Sequence, residues 1–196
     1  TPTPATDIAR RYRPTLVILG RTDISAHDER PQIADIRSER ELKAALLADA
    51  RHTGQHVSAA NIDAMYQALI HRREARANLD AMKSLGARVD YRKVDVVDDQ
   101  ALAAAIDDVY GRYGRVDGVI HGAGVIEDAL IENKTADSLA RVFTTKARAA
   151  ATLARCIRPE SLQFLVMFSS VAGCFGNRGQ ADYAAANEGL NKLAVE

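Results

Sequence analysis

Four short apolar runs alternate with segments of helical period, and this alternation narrows the fold more than any other feature of the chain. Residues 15–19, Thr-Leu-Val-Ile-Leu, lie between Pro14 and Gly20 and read as a buried strand. Val89, Tyr91 and Val94-Asp95-Val96 mark a second strand within 87–97; residues 116–120 and 162–168 give a third and a fourth. The intervening segments carry helix signals. Ser38 with Glu41 makes a capping box that opens a helix to about Arg51. A second helix runs from Ser58 towards Leu85 and is closed by Gly86. Its Ile62, Met65, Tyr66, Leu69 and Ile70 recur at helical spacing and form a packing stripe. Residues 101–110, the alanine-rich 138–157 and 183–194 are helical as well. Strand and helix in strict turn imply an α/β fold, with a parallel sheet covered by helices on both faces. Residues 1–14 read as linker, and the longer stretch 22–85 as a helical insertion after the first strand.

Composition removes several function classes. Twenty-six basic residues balance twenty-six acidic ones, so no nucleic-acid tract or basic membrane-binding face is expected. No apolar run is long enough to cross a bilayer. Cys156 and Cys174 do not make a disulfide framework, which places the chain in the reducing cytoplasm, and no metal site is expected. Gly118, Gly122 and Gly124 mimic a phosphate-binding loop. Gly118 precedes the apolar core of its strand, however, and Glu127 and Asp128 stand where a pyrophosphate needs bare amides. The better reading is a strand end whose small residues let a flat ligand approach the backbone. No glycine-rich loop precedes residues 15–19. In a doubly wound sheet the first strand is central, so a gap is expected between two of the strands present. The chain therefore reads as a piece of a longer polypeptide, lacking that first strand and the last strands, unless another chain supplies the missing one.

Chemistry gathers late in the sequence. Phe168-Ser169-Ser170 ends the fourth strand, and Tyr183-Ala184-Ala185-Ala186-Asn187 begins the last helix. Two hydroxyls so placed can hold and protonate one carbonyl oxygen. Lys146 lies 24 residues before Ser170, which lies 13 before Tyr183. These motifs resemble the ketoreductase domain of modular type I polyketide synthases, and of polyunsaturated-fatty-acid synthases, within the short-chain dehydrogenase/reductase superfamily. The resemblance runs from about Thr15 to the C-terminus and implies a Rossmann-like fold. Ordinary superfamily members place lysine four residues after the tyrosine. Asn187 holds that position here, as in polyketide ketoreductases, whose lysine sits on an earlier helix in the manner of Lys146. Lys192 is nearer in sequence, but at about 100° per residue it faces away from Tyr183. Singly, Lys146 reads equally as a solvated helix lysine, Ser170 as a backbone cap and Tyr183 as packing; together their spacing favours an enzyme.

The resemblance implies NADPH-dependent reduction of a β-ketoacyl thioester to a β-hydroxyacyl thioester. Tyr183 is then the general acid, Ser170 a donor to the substrate oxygen, Lys146 the ammonium that favours the phenolate, and Asn187 the residue that orients Lys146 or a proton-restoring water. It also implies that Arg21, directly after the first strand, meets the 2′-phosphate of NADPH, that Asp95 and Val96 bracket the adenine, and that His121-Gly122-Ala123-Gly124 lies near the nicotinamide ribose, His121 being structural and not a base. Ile126-Glu127-Asp128 occupies the Leu-Asp-Asp position of B-type enzymes, with Asp128 kept as the substrate-orienting acid. Phe175 stands where A-type enzymes have tryptophan, so a 3R product is implied. The implied partners are an acyl carrier protein bearing the phosphopantetheine-tethered substrate and the other domains of the same synthase. Two alternatives stay open: a free-standing dehydrogenase acting on a small ketone or sugar, and a catalytically silent reductase subdomain kept as a scaffold. The 196 residues alone are expected to be inactive.

Overall fold

In the computed structural model, which describes residues 2–25, 31–53 and 57–195, the chain folds as two compact units, Thr1–Lys93 and Val94–Glu196. The first unit opens with α1, Pro2–Tyr12, on residues expected to be linker. Pro2 and Pro4 fall in the first helical turn, where a missing N–H breaks no intrahelical bond. Ala9 is fully buried and packs with Leu79, Met82 and Ala87, which gives α1 a reason to exist beyond its propensity. Strand β1, Thr15–Gly20, pairs in parallel with β2, Arg88–Lys93, in a register that sets Leu16 against Val89 and Ile18 against Tyr91.

The insertion between these strands is helical, as the periodicity implies. The short α2, Pro31–Ala34, precedes α3, Glu39–His52, and α4, Ala59–Ser84. Ser38 and Ser58 cap α3 and α4 by accepting from the N–H groups of Glu41 and Asn61. Gly86 turns the chain out of α4 at φ +92°, a left-handed geometry that costs glycine nothing. At 26 residues α4 is about 39 Å long and serves two cores. Leu79 and Met82 near its C-terminal end face the sheet, while Ile62 and Leu69 pack on Leu42 and Leu46 of α3. Two of its arginines tie down the polar stretch before α3: Arg73 donates to the carbonyls of Ile33 and Ile36, and Arg76 to that of Ile24.

Strand β2 stops at Lys93, short of the 87–97 expected. Asp95 accepts the N–H of Val97 through its side chain and that of Asp98 through its carbonyl, which turns the chain out of extended geometry. Asp98 then caps α5, Asp99–Tyr113.

In the second unit β3, Gly118–His121, pairs in parallel with β4, Phe164–Met167. Among the described residues the four strands form two separate two-stranded ladders, β1 with β2 and β3 with β4. Gly118 lies within β3. A Cβ there would sit 2.1 Å from the Phe164 ring across the ladder, so cross-strand packing, and not a phosphate, accounts for this glycine. The helix expected over 138–157 is three pieces: α6, Ala136–Phe143; a π-helical turn, Thr144–Arg148; and α7, Ala149–Cys156. The short α8, Val171–Phe175, which the pattern did not reveal, and α9, Ala181–Leu193, complete the unit.

Candidate active site

Parallel strands present ligands at their carboxyl ends, and the candidate residues of the second unit follow those ends. His121 closes β3 and leads into Gly122-Ala123-Gly124; β4 runs into Phe168-Ser169-Ser170. The two strand ends are joined by the Phe168 N–H, which donates to the His121 carbonyl at 2.9 Å.

Lys146 comes to this point through the π-turn. A π-turn shifts helical register, and Thr144 and Thr145 donate their hydroxyls back to the carbonyls of Ala140 and Arg141. The shift buries both Thr145 and Lys146. Lys146 is only 5% exposed, its ammonium donates to the Phe168 carbonyl at 2.6 Å, and Nζ lies 5.7 Å from the centre of the Tyr183 ring. Burial holds its amine below the ordinary lysine value. Lys192, the lysine nearer in sequence, is 78% exposed and pairs with Glu188 in solvent.

His121 is buried, and its Nε2 donates to the backbone carbonyl of Lys146 at 2.9 Å. Its side chain therefore braces the π-turn, while Gly122 and Gly124 beyond it stay exposed. Desolvation lowers the His121 pKa below 6.5, which keeps the ring neutral at pH 7.

Ser170 is the N-cap of α8, its Oγ accepting the N–H of Ala172 at 3.2 Å. A hydroxyl that accepts there keeps its proton to give elsewhere. Tyr183 stands in the first turn of α9, half-buried, with Asn187 one turn on. Asn187 is wholly buried. Its amide N–H donates to the Tyr183 carbonyl at 2.7 Å, and its Oδ1 has no hydrogen-bond partner. Helices α8 and α9 meet at Gly173, where a Cβ would lie 3.1 Å from the Asn187 Cβ and 3.1 Å from the Glu188 nitrogen. Ser169 adds a bond from its hydroxyl to the Asn187 carbonyl. Lys146, Tyr183, Asn187 and the α8 segment headed by Ser170 are thus built into one packed region.

The loop after Gly124 is not free in solvent. Glu127 takes Arg141 as a two-pronged pair at 2.8 Å on each oxygen, and Arg141 holds its carboxyl below the usual range. Asp128 accepts from the Gln180 side chain at 3.0 Å, and Ala129 N–H donates to the Gly179 carbonyl. Behind the loop, Lys134 and Asp182 form a buried ion pair. Sequence reading missed this pair: Asp182 adjoins Tyr183, but its partner lies 48 residues earlier and no local pattern links them.

Arg21 is exposed directly after β1 in the first unit. Nearby Asp23 is engaged by Ser25 and Lys93, which hold its carboxyl well below the usual range. Asp95 is exposed and Val96 half-buried, both in the turn before α5. Among the described residues no group of His, Cys, Asp or Glu is arranged to hold a metal, and no helix is long and apolar enough to cross a membrane.

A nicotinamide ring needs a flat, open backbone edge. Exposed Gly122 and Gly124 give such an edge next to Lys146: a Cβ at Gly124 would lie 3.2 Å from Lys146 Cε. The residues present fit that group.

Comparison with known proteins identifies the family of the chain. The model of the KR domain family matches residues 3–196. One polypeptide of the polyunsaturated fatty acid synthase of Thraustochytrium sp. is 32% identical over 186 residues, which cover 92% of this chain and 7% of that protein. A crystal structure of a ketoreductase domain from the bacillaene assembly line is 30% identical, with a TM-score of 0.67 over 99% of this chain and 37% of the other. A crystal structure of an N-terminal ketoreductase from the macrolactin assembly line shares the fold at 24% identity, with a TM-score of 0.71 over 99% of this chain and 30% of the other. The chain thus spans a small part of the curated relative and about a third of each of these solved chains.

Proposed function

This chain belongs to the KR domain family, the Rossmann-like ketoreductases of type I polyketide synthases within the short-chain dehydrogenase/reductase superfamily, and from that premise we propose that it reduces a β-ketoacyl thioester on an acyl carrier protein with NADPH. The observation that carries this reading is the buried Lys146 ammonium, held 5.7 Å from the Tyr183 ring by a strand-end carbonyl. A cation is costly to bury, and here it faces a phenol.

Enzymes of this family take a nicotinamide cofactor, which supplies the hydride to the carbonyl carbon. The chain's own groups manage the oxygen. Ser170 keeps its proton and donates a hydrogen bond through its hydroxyl to the substrate oxygen as negative charge grows there. Tyr183 gives its phenolic proton to the resulting alkoxide. Lys146 stabilises the phenolate left behind. The bare Oδ1 of Asn187 accepts from the ammonium or from a water, and so fixes the path by which the phenol regains its proton.

NADPH is favoured over NADH because Arg21 offers a guanidinium to a 2′-phosphate while Lys93 and Ser25 occupy the neighbouring acid, Asp23. Asp95 and Val96 take the adenine end. The Ile126-Glu127-Asp128 loop, pinned by Arg141 and Gln180, orients the acyl chain for a 3R product. The working context is a cytoplasmic multidomain synthase.

The test is oxidation of NADPH by the intact synthase polypeptide supplied with a β-ketoacyl N-acetylcysteamine thioester. Turnover with release of the 3R alcohol supports the proposal. No turnover by folded protein would favour a silent scaffold, and turnover with small ketones alone would favour a free-standing dehydrogenase.

A further inference from the structure

Lys134 and Asp182 form the most enclosed ion pair among those described, with side chains 7% and 1% exposed, and no step above uses them. Lys134 Nζ lies 2.7 Å from each Asp182 oxygen and also donates to the Glu127 carbonyl. All three of its protons are thereby committed. Asp182 Oδ1 in turn accepts the N–H of Tyr183 at 2.8 Å. That N–H lies in the first turn of α9, where a backbone donor has no partner within its own helix. One carboxylate thus fixes the backbone of the tyrosine, and one ammonium fixes the backbone of the loop that carries Asp128.

Stability alone does not explain this arrangement. Burying two charges costs about as much as their attraction returns, and an apolar pair of similar volume would hold the fold as well. An ion pair adds direction. Its bonds lock the start of α9 and residues 127–129 into one geometry, reinforced by Ala129 on Gly179 and Gln180 on Asp128. The Glu127–Arg141 pair on the same loop has an exposed arginine, is screened by water and contributes less.

Resting on the reductase reading, we propose that Lys134 and Asp182 are positioning residues: the pair sets Tyr183 against the loop that orients the acyl chain. It touches neither substrate nor cofactor, and it acts through the Tyr183 amide and the Glu127 carbonyl.

The experiment compares Lys134→Met and Asp182→Asn with wild type in the intact synthase polypeptide, by steady-state NADPH oxidation and by hydrogen exchange over residues 126–130 and 181–184. The expected result is a kcat at least tenfold lower, an unchanged KM for NADPH, a loss of product stereopurity and faster exchange in both segments. Asp182→Asn preserves shape and carries the test if Lys134→Met does not fold. A kcat within twofold of wild type together with unchanged exchange would overturn the proposal. Faster exchange with kcat and stereopurity unchanged would also overturn it, because the pair would then be structural only. If wild type itself shows no turnover, the reductase reading fails. The exchange data then still decide whether the pair braces loop and helix: faster exchange in the variants supports the brace, and unchanged exchange overturns it.

Discussion

Gly173→Ala perturbs the contact that joins the serine's helix to the tyrosine's. Its new Cβ would sit 3.1 Å from the Asn187 Cβ, 3.1 Å from the Glu188 nitrogen and 3.2 Å from the Asn187 carbonyl carbon. Carbon contacts settle at about 3.5–4.0 Å, and two of these three neighbours are backbone, so α8 has to move by roughly half an ångström. Overpacking of this kind costs about 1–3 kcal/mol. Replacing a helical glycine by alanine returns about 0.5–1 kcal/mol. The net loss is on the order of 1 kcal/mol, a fall of about 2–4 °C in melting midpoint for a chain of this size. Catalysis should suffer more. Ser170 heads α8 and moves with it; a misplacement of about 1 Å costs on the order of a hundredfold, so half that displacement costs roughly tenfold. Thermal unfolding and steady-state NADPH oxidation by the intact protein measure the two effects. A kcat within twofold of wild type would show that α8 does not set the serine, and a fall in melting midpoint above about 10 °C would show that backbone relaxation is far costlier than reasoned.

Two further outcomes follow from the site. The His121 pKa is depressed in the fold, so the folded protein binds fewer protons than the unfolded chain once pH drops below 6.5. The stability this neutral ring confers is complete above pH 6.5 and declines as pH falls through the folded pKa, by at most about 1.4 kcal/mol per pH unit. Denaturant titrations at several pH values should therefore show wild type losing more stability on acidification than His121→Asn; parallel curves would deny that the ring is buried neutral. Arg21→Ala should raise the KM for NADPH about tenfold or more, as expected for a lost charge-assisted phosphate contact, while NADH changes by less than about twofold. An equal effect on both cofactors would remove Arg21 from phosphate recognition.

The legible parts of the fold are those written locally. Ser38 and Ser58 announced α3 and α4 because a cap needs only a hydroxyl three residues before an amide, and Gly86 announced the exit from α4 because a left-handed turn favours glycine. The apolar runs placed all four strands, although Asp95 ended β2 early by bonding its own turn. Helix α1 was hidden because its reason lies in Ala9 packing against residues about seventy positions on. The π-turn was hidden for a different cause: its sequence, Thr144 to Arg148, is ordinary helix text, and its register is resolved only by packing. At the site, spacing brought Lys146, Ser170 and Tyr183 together on paper, and the fold buries the lysine beside the tyrosine ring. The inward turn of His121 and the Lys134–Asp182 pair were out of reach, since each joins segments 25 and 48 residues apart through side chains with no periodic signal.

The most direct test is a double-mutant cycle on kcat with Lys146→Met and Tyr183→Phe. At the ring-centre separation of 5.7 Å, an ammonium and a phenolate attract by about 3 kcal/mol at an effective dielectric constant near 20, worth roughly a hundredfold in rate. The account predicts that loss for Lys146→Met alone, and less than about a threefold further loss when it is added to Tyr183→Phe. A full hundredfold loss in both backgrounds, or none in either, would contradict it, because the lysine would then not act through the phenol.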